Sequence, residues 1–207
     1  PKVFLVIYKL YRRQPCLLIN PQKYFFTCKV SVVIGNLRLM KTDLSLQDAL
    51  SEVSEINYDG DQVLRLQRLG AVAIKDLMSQ FAKAGTVDDY QLIALVLTRL
   101  HDLQVRDYAM GLTTSDNIDQ VFNFWHWLLQ LAPKGFIAPV AAIFSTVAYE
   151  SGETDLAQRS LDTSFADQIE YPLAKLLRRV YCAGWPTESF AAMRAELHPK
   201  VCASLFG

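Results

Sequence analysis

A series of helix starts and helix stops in the last third of the chain constrains its fold more than any other feature. Pro139 and Pro172 each stand in the first turn of an apolar segment, where the N–H that proline lacks would have no helical partner. Gly152 and Gly184 follow the ends of such segments, a position that glycine favours because it adopts a positive φ readily. These proline and glycine positions predict short helices joined by tight turns, which pack as antiparallel helical hairpins.

Apolar spacing predicts further helices before this region. Apolar residues recur at intervals of three and four along residues 63–81, which is typical of one face of a long helix, and Leu69 is assigned to that face. Thr86 and Asp89 then have the spacing of a helix-capping pair at the start of the next helix. We therefore expect a helical domain of residues 42–200.

The first part of the chain has a different composition. Residues 3–11 and 24–34 are rich in Val, Ile, Phe and Tyr, which favour β-strands, and Pro15 and Pro21 lie between the two stretches. We expect a β-rich N-terminal segment of residues 1–41, with two or three strands. Two isolated strands are marginally stable, so the segment is expected to pack on the helices or to be the remnant of a longer sequence. The expected fold class is mainly α with this short β-rich segment.

Charge and cysteine usage disfavour several classes of protein. The 21 Lys and Arg residues balance 21 Asp and Glu residues, so the whole chain has no net attraction to nucleic acid or to anionic membranes. The longest apolar run is far shorter than the ~20 residues of a membrane-spanning helix. No C-x-x-C pair occurs among the four cysteines, so neither a metal site nor a cofactor is predicted: Cys16, Cys28, Cys182, Cys202. Reduced thiols in a cytoplasmic protein are the favoured interpretation, and disulfides in an exported protein are the alternative.

Trp125 and Trp127 belong to an aromatic cluster at residues 122–127. The cluster makes its helix apolar over most of its circumference, so we expect the helix to be buried or to lie at an interface. Core packing is favoured over a platform for nucleic-acid bases, because no basic residue between positions 107 and 134 is available to meet phosphates. His126, between the two tryptophans, is interpreted as a hydrogen-bonded structural histidine.

The polar residues at 99–107 include the types found in acid–base sites. His101 could act as a base that Asp102 or Asp107 orients. However, the sequence contains neither a nucleophile-elbow motif of the type G-x-S-x-G nor a glycine-rich phosphate-binding loop. Arg106 and Asp107 are more simply interpreted as an ion pair that fixes a turn. An enzyme with a His/Asp site is therefore an alternative hypothesis rather than the preferred one.

Residues 138–171 fit the pattern of a tetratricopeptide hairpin, in which small residues lie where two helices cross. The positions that match this pattern are Ala148, Gly152, Ala157, Leu161 and Ser164. No second copy follows at a period near 34 residues, which indicates a single repeat-like hairpin rather than a repeat array. The pattern specifies packing and does not identify a ligand.

A set of linked motifs in the C-terminal half carries a more specific resemblance. In chain order they are Val105-Arg106-Asp107, Ala132-Pro133, Ala148-Tyr149-x-x-Gly152 with Ala157 and Leu161, Tyr171-Pro172-Leu173-Ala174-x-Leu176-Leu177, and Ala183-Gly184-x-Pro186. Together they resemble an uncharacterised, mainly actinobacterial family, domain of unknown function 4192, over about residues 95–196. The resemblance implies a shared helical fold and implies no activity.

The sequence is rich in patterns of helix packing and contains no recognisable set of catalytic residues. These features favour a non-enzymatic helical protein-interaction module, and this hypothesis predicts a stable protein partner or self-association. The candidate contact residues are Trp125, Trp127, Trp185 and Arg178. A weak nucleic-acid-binding protein is a further alternative, through a basic strip formed by Lys175, Arg178 and Arg179. The neutral net charge disfavours it.

Overall fold

The computed structural model describes residues 46–207, which form nine helices and no strand. The helices are α1 (46–52), α2 (Val63–Ala84), α3 (Tyr90–Arg99), α4 (Leu103–Gly111), α5 (Ile118–Leu131), α6 (Ile137–Glu150), α7 (Thr154–Asp167), α8 (Pro172–Cys182) and α9 (Thr187–Phe206). The mainly helical fold is thus confirmed for this part of the chain. The predicted β-rich segment, residues 1–41, lies outside the described residues.

Several helix boundaries agree with their local sequence signals. Pro172 is the first residue of α8, and Pro139 lies in the first turn of α6. Gly152 and Gly184 have φ values of 83° and 63° in the turns after α6 and α8, a region that only glycine enters without strain. Asp89 caps α3 by accepting a hydrogen bond from the backbone N of Leu92 at 3.0 Å.

Helix α6 is the centre of the fold, because every residue from 138 to 149 is buried. A helix that is apolar around its whole circumference must be surrounded by others. One apolar cluster packs α1, α2, α3 and α5 against it around Phe124 and Trp125. A second cluster packs α7, α8 and α9 against it around Leu161 and Phe190. The two clusters together bury both sides of α6.

Helices α6 and α7 form a hairpin fastened by polar groups at its open end. The Asp167 carboxylate, at the end of α7, accepts hydrogen bonds from the backbone N of Gly135 at 2.7 Å and of Ala138 at 2.9 Å. The Ser164 hydroxyl donates to the carbonyl of Ala138 at 2.9 Å. The two bonds to Asp167 satisfy N–H groups at and just before the start of α6, which the helix itself leaves unpaired. The tetratricopeptide-like character predicted for residues 138–171 stays a prediction.

Candidate functional site

Asp102, one of the acid–base candidates, caps α4 from a buried position with 3 % of its surface exposed. Its Oδ1 accepts hydrogen bonds from the backbone N of Gln104 at 2.8 Å and of Val105 at 3.0 Å. Its Oδ2 accepts from the Tyr58 hydroxyl and from Gln67 Nε2, both at 2.9 Å. The carboxylate therefore accepts four hydrogen bonds, which hold it in place at the junction of α3 and α4.

His101 and Asp107 lie in surroundings different from that of Asp102. The exposed His101 ring packs edge-on against Phe136, with ring centroids 5.2 Å apart, and partial desolvation lowers the pKa of the imidazole. Asp107 Oδ1 accepts from Arg106 Nη2 at 2.8 Å, which confirms the ion pair expected from the sequence. Among the described residues, no hydrogen bond joins His101 to either aspartate. The structure thus does not bring these three side chains together as a His–Asp pair.

The three tryptophans proposed as contact residues differ in their burial. Trp125 is fully buried in the core, so its side chain has no surface to offer a partner in this fold. Trp127 is half-buried and packs on Phe81, with ring centroids 5.0 Å apart. Trp185 is half-buried with its ring edge-on to Phe190 at 6.3 Å. Trp127 and Trp185 therefore keep part of their rings at the surface.

The predicted basic strip on α8 is largely neutralised by neighbouring carboxylates. Arg178 Nη2 donates to Asp162 Oδ1 at 2.6 Å, and Lys175 pairs with Glu170. The guanidinium of Arg178 also lies 5.3 Å from the centre of the Phe165 ring. Because acidic partners meet two of the three cations, the strip offers little free charge to a phosphate backbone.

The neutral total charge of the chain conceals an uneven distribution along it. Residues 1–45 contain eight of the 21 basic residues and one of the 21 acidic residues, which leaves thirteen basic and twenty acidic residues, a net charge of −7, in residues 46–207. The helical region is therefore acidic. A field of this sign disfavours its contact with nucleic acid and with anionic lipid headgroups.

Helix α2 departs from this acidic average. It carries four exposed basic residues, Arg65, Arg68, Lys75 and Lys83, and one exposed acidic residue, Asp76. Three large apolar side chains on the same helix are also exposed: Leu64 at 41 %, Leu69 at 47 % and Val72 at 47 %. At 100° per residue, all these positions fall within less than half of the helix circumference. They make one basic and apolar surface.

The end of α9 borders this surface. Arg68 Nε donates a hydrogen bond to the carbonyl of Leu205, and the next residue, Phe206, is 46 % exposed. We call the combined surface the α2 face, and it consists of Leu64, Arg65, Arg68, Leu69, Val72, Lys75 and Phe206. On this face, exposed apolar side chains lie beside cations, and exposed apolar patches larger than a few hundred Å² are uncommon on monomeric proteins.

Comparison with known proteins places the helical region in a family. A family model described as Domain of unknown function (DUF4192) matches residues 39–188 of the 207-residue chain. The chain belongs to the DUF4192 family. The resemblance predicted from motifs is thereby confirmed, and the DUF4192 match begins much earlier than residue 95, so that it includes the whole of α2. No curated protein and no solved structure matches the chain.

Sequence spacing assigned one exposed residue of the DUF4192 chain to the buried face of α2. The buried positions centre on Ala73, Ile74 and Leu77, whereas Leu69 lies at the edge of that face and is 47 % exposed. The sequence signal that could have shown this is the basic pair Arg65 and Arg68, which flanks Leu69 on the same side of the helix.

Clusters of metal-ligating side chains and membrane-spanning helices are both absent from the described part of this DUF4192 chain. Within residues 46–207, no three His, Cys, Asp or Glu side chains converge as a metal-binding group. The helices in the same range are all too short or too polar to cross a bilayer. The α2 face is the candidate site in this region because it combines exposed apolar side chains with cations.

Proposed function

We propose that this DUF4192 domain is a non-enzymatic protein-interaction module that binds a partner through the α2 face. The observation that carries the proposal is the set of exposed apolar residues Leu64, Leu69 and Val72 beside basic residues, on a region that is otherwise acidic. Covering each of these side chains would contribute about 1 kcal/mol to binding. Three such residues with Phe206 form the apolar centre of an interface, and the cations form its rim.

The partner that fits this face is a protein surface with acidic and apolar side chains. Arg65 and Lys75 are exposed, and within residues 46–207 neither forms an ion pair. A carboxylate on the partner could approach either cation. Residues 1–45 are themselves strongly basic, so charge repulsion disfavours them as the cover of this face. A second copy of the chain is an alternative partner, because its helical region is acidic.

Acid–base catalysis has less support than binding. Asp102 is occupied by four donors, and Asp107 is paired with Arg106. A base at His101 would therefore lack the orienting carboxylate that the alternative hypothesis requires.

The proposal includes a cytoplasmic location, which is inferred from the cysteine usage. The expected partner is therefore an intracellular protein.

Reversal of the charges on the α2 face tests the proposal. The full-length chain and the variant Arg65→Glu/Lys75→Glu would be purified from their native cells, and co-purifying proteins would be quantified by mass spectrometry. The matched control is Lys134→Glu/Arg159→Glu, which makes the same charge change at two exposed positions elsewhere. We expect one acidic protein at near-equimolar amount with the wild type and the control, and its loss with the variant. Identical co-purifying proteins in all three samples would contradict the proposal.

A further inference from the structure

The negative charge of the helical region is concentrated in two short parts of the chain. Residues 46–61 contain five acidic residues and no basic one, and Asp88 and Asp89 follow just before α3. The rest of the helical region has thirteen acidic and thirteen basic residues, which balance. Seven exposed side chains therefore account for the whole net charge of −7, and we call them the acidic face: Asp48, Glu52, Glu55, Asp59, Asp61, Asp88 and Asp89.

Helix α1 and the start of α3 lie side by side in the acidic face. Gln91 Nε2, in the first turn of α3, donates a hydrogen bond to Glu52 Oε2 of α1 at 2.9 Å. This contact brings Glu52 close to the helix start that carries Asp88 and Asp89. Within residues 46–207, none of the seven carboxylates forms an ion pair. Uncompensated charges of one sign on neighbouring elements attract a cationic partner.

The acidic face also contains apolar side chains. Leu50, Val53 and Ile56 are half-buried between the acidic positions, and Tyr58 is 63 % exposed. In the part of the chain that the structure describes, no three carboxylates converge closely enough to hold a metal ion. An extended segment with both basic and apolar side chains therefore fits this face better than a single cation does.

Residues 1–45 have the composition of such a segment. They contain eight basic residues and one acidic residue, a net charge of +7 that is equal and opposite to the charge of the acidic face. They join the helical region at Leu46, the first residue of α1. Arg38 precedes Leu46 by eight residues, so it can lie no farther than about 28 Å from it. Attachment at this point gives the segment a high effective concentration at the acidic face.

We propose that residues 1–45 bind to the acidic face of the same chain, with their Lys and Arg side chains paired with its carboxylates. The matching charges, the carboxylates without ion-pair partners and the connection at α1 carry this inference. It goes beyond the proposed function and holds independently of any partner at the α2 face. The two surfaces have opposite charge, so residues 1–45 are attracted to the acidic face and leave the α2 face open.

Carbodiimide cross-linking of the full-length chain tests the proposal, because this reagent joins a lysine amine to a carboxylate only where the two are in contact. Unlabelled and ¹⁵N-labelled chains would be mixed before the reaction. We expect mass spectrometry to find links from Lys23 or Lys29 to the acidic face within single chains, and fewer of them in about 0.5 M NaCl, which screens exposed charges. Links that join labelled to unlabelled chains would indicate a second copy and overturn the proposal. An absence of links in a chain that retains nucleic acid would overturn it in favour of that partner.

Charge reversal on the acidic face makes the test specific. Amide hydrogen exchange of residues 1–45 should become at least tenfold faster in Glu52→Lys/Glu55→Lys. The matched control is Asp116→Lys/Glu153→Lys, which makes the same charge change at two exposed positions outside the face and should leave the exchange unchanged. Equal exchange of residues 1–45 in the two variants would overturn the proposal.

A charge swap separates pairing from a loss of folding. Arg38→Glu/Lys41→Glu should also speed the exchange of residues 1–45. Its combination with Glu52→Lys/Glu55→Lys restores opposite charges on the two parts and should bring back at least part of the protection. A combined variant that exchanges as fast as the faster of its two parents would overturn the proposal.

Discussion

Gly111 of α4 lies directly against the side chain of His198 of α9. A Cβ at position 111 would lie 2.9 Å from Cβ and 2.5 Å from Cγ of His198, and still closer to Nδ1. Cβ of His198 is attached directly to the backbone. Rotation of the ring would therefore leave the 2.9 Å approach to Cβ unchanged. The close approach of α4 and α9 therefore requires glycine at this position.

Gly111→Ala is expected to destabilise the protein by about 1–3 kcal/mol, because the added methyl group overlaps the His198 side chain and forces α9 away from α4. Urea denaturation followed by circular dichroism measures the change. The double variant Gly111→Ala/His198→Ala should recover part of the loss, since it removes the ring atoms that clash but keeps the Cβ of residue 198. A single variant as stable as the wild type would show that the helices are not in this contact.

Asp102→Ala is expected to reduce the free energy of unfolding by about 3 kcal/mol, because it removes the cap of α4 and leaves two further donors without an acceptor. The matched control is Asp89→Ala, which removes the exposed cap of α3 and one hydrogen bond. We expect a loss of about 1 kcal/mol for this control. Equal losses in thermal or urea unfolding would refute the buried network described for Asp102.

The ion pair between Glu150 and Arg194 is expected to dominate the attachment of α9. Arg194→Met leaves the Glu150 carboxylate buried without its cation, which should cost about 3–5 kcal/mol of stability. Lys200→Met breaks the exposed pair with Glu196 in the same helix and should cost less than about 0.5 kcal/mol. Parallel denaturation curves of the two variants separate the cases. A small effect of Arg194→Met would mean that the pair is open to solvent.

The stability of the protein is expected to fall as the solution is acidified through the histidine range. The folded state lowers the pKa of His198 below the ordinary value of 6.5, so the unfolded chain binds its proton at a higher pH than the folded chain does. The contribution of His198 to the free energy of unfolding is therefore complete above about pH 6.5. Below that pH it falls by at most about 1.4 kcal/mol per pH unit, until the pH passes the pKa of the folded state.

Urea denaturation between about pH 7.5 and about pH 5.5 measures this dependence, since carboxylates stay ionised over most of that range. His198→Gln should reduce the slope. His101 also has a lowered pKa and should account for a separate part of the slope, which His101→Gln removes. An unchanged slope in His198→Gln would contradict the burial of the imidazole next to Arg194.

The helices could be predicted from the sequence because their signals are local. Pro172 at a helix start, and Gly152 and Gly184 after helix ends, act through backbone geometry within one turn. The position of Leu69 could not be predicted in the same way. Helix α2 has apolar residues on more than one side, and only the packing of the neighbouring helices decides which side is buried.

The surroundings of the polar residues depend on distant parts of the chain. Asp102 bonds to Tyr58 and Gln67, which lie 44 and 35 residues away, so the spacing of residues 101–107 gave no sign of these partners. Neighbours in the sequence, such as His101 and Asp102, can face different surroundings where a helix begins. The closeness of catalytic residue types in a sequence is therefore weak support for a site.

The central claim is that a partner binds on the α2 face, and site-specific photo-crosslinking tests it most directly. A benzophenone amino acid would replace Leu69 in the full-length chain and, as the control, Asn123, which is exposed on α5. We predict one dominant cross-linked product from position 69, with an acidic protein or a second copy, which disappears in the Arg65→Glu/Lys75→Glu background. No product from position 69, or the same products from positions 69 and 123, would contradict the claim.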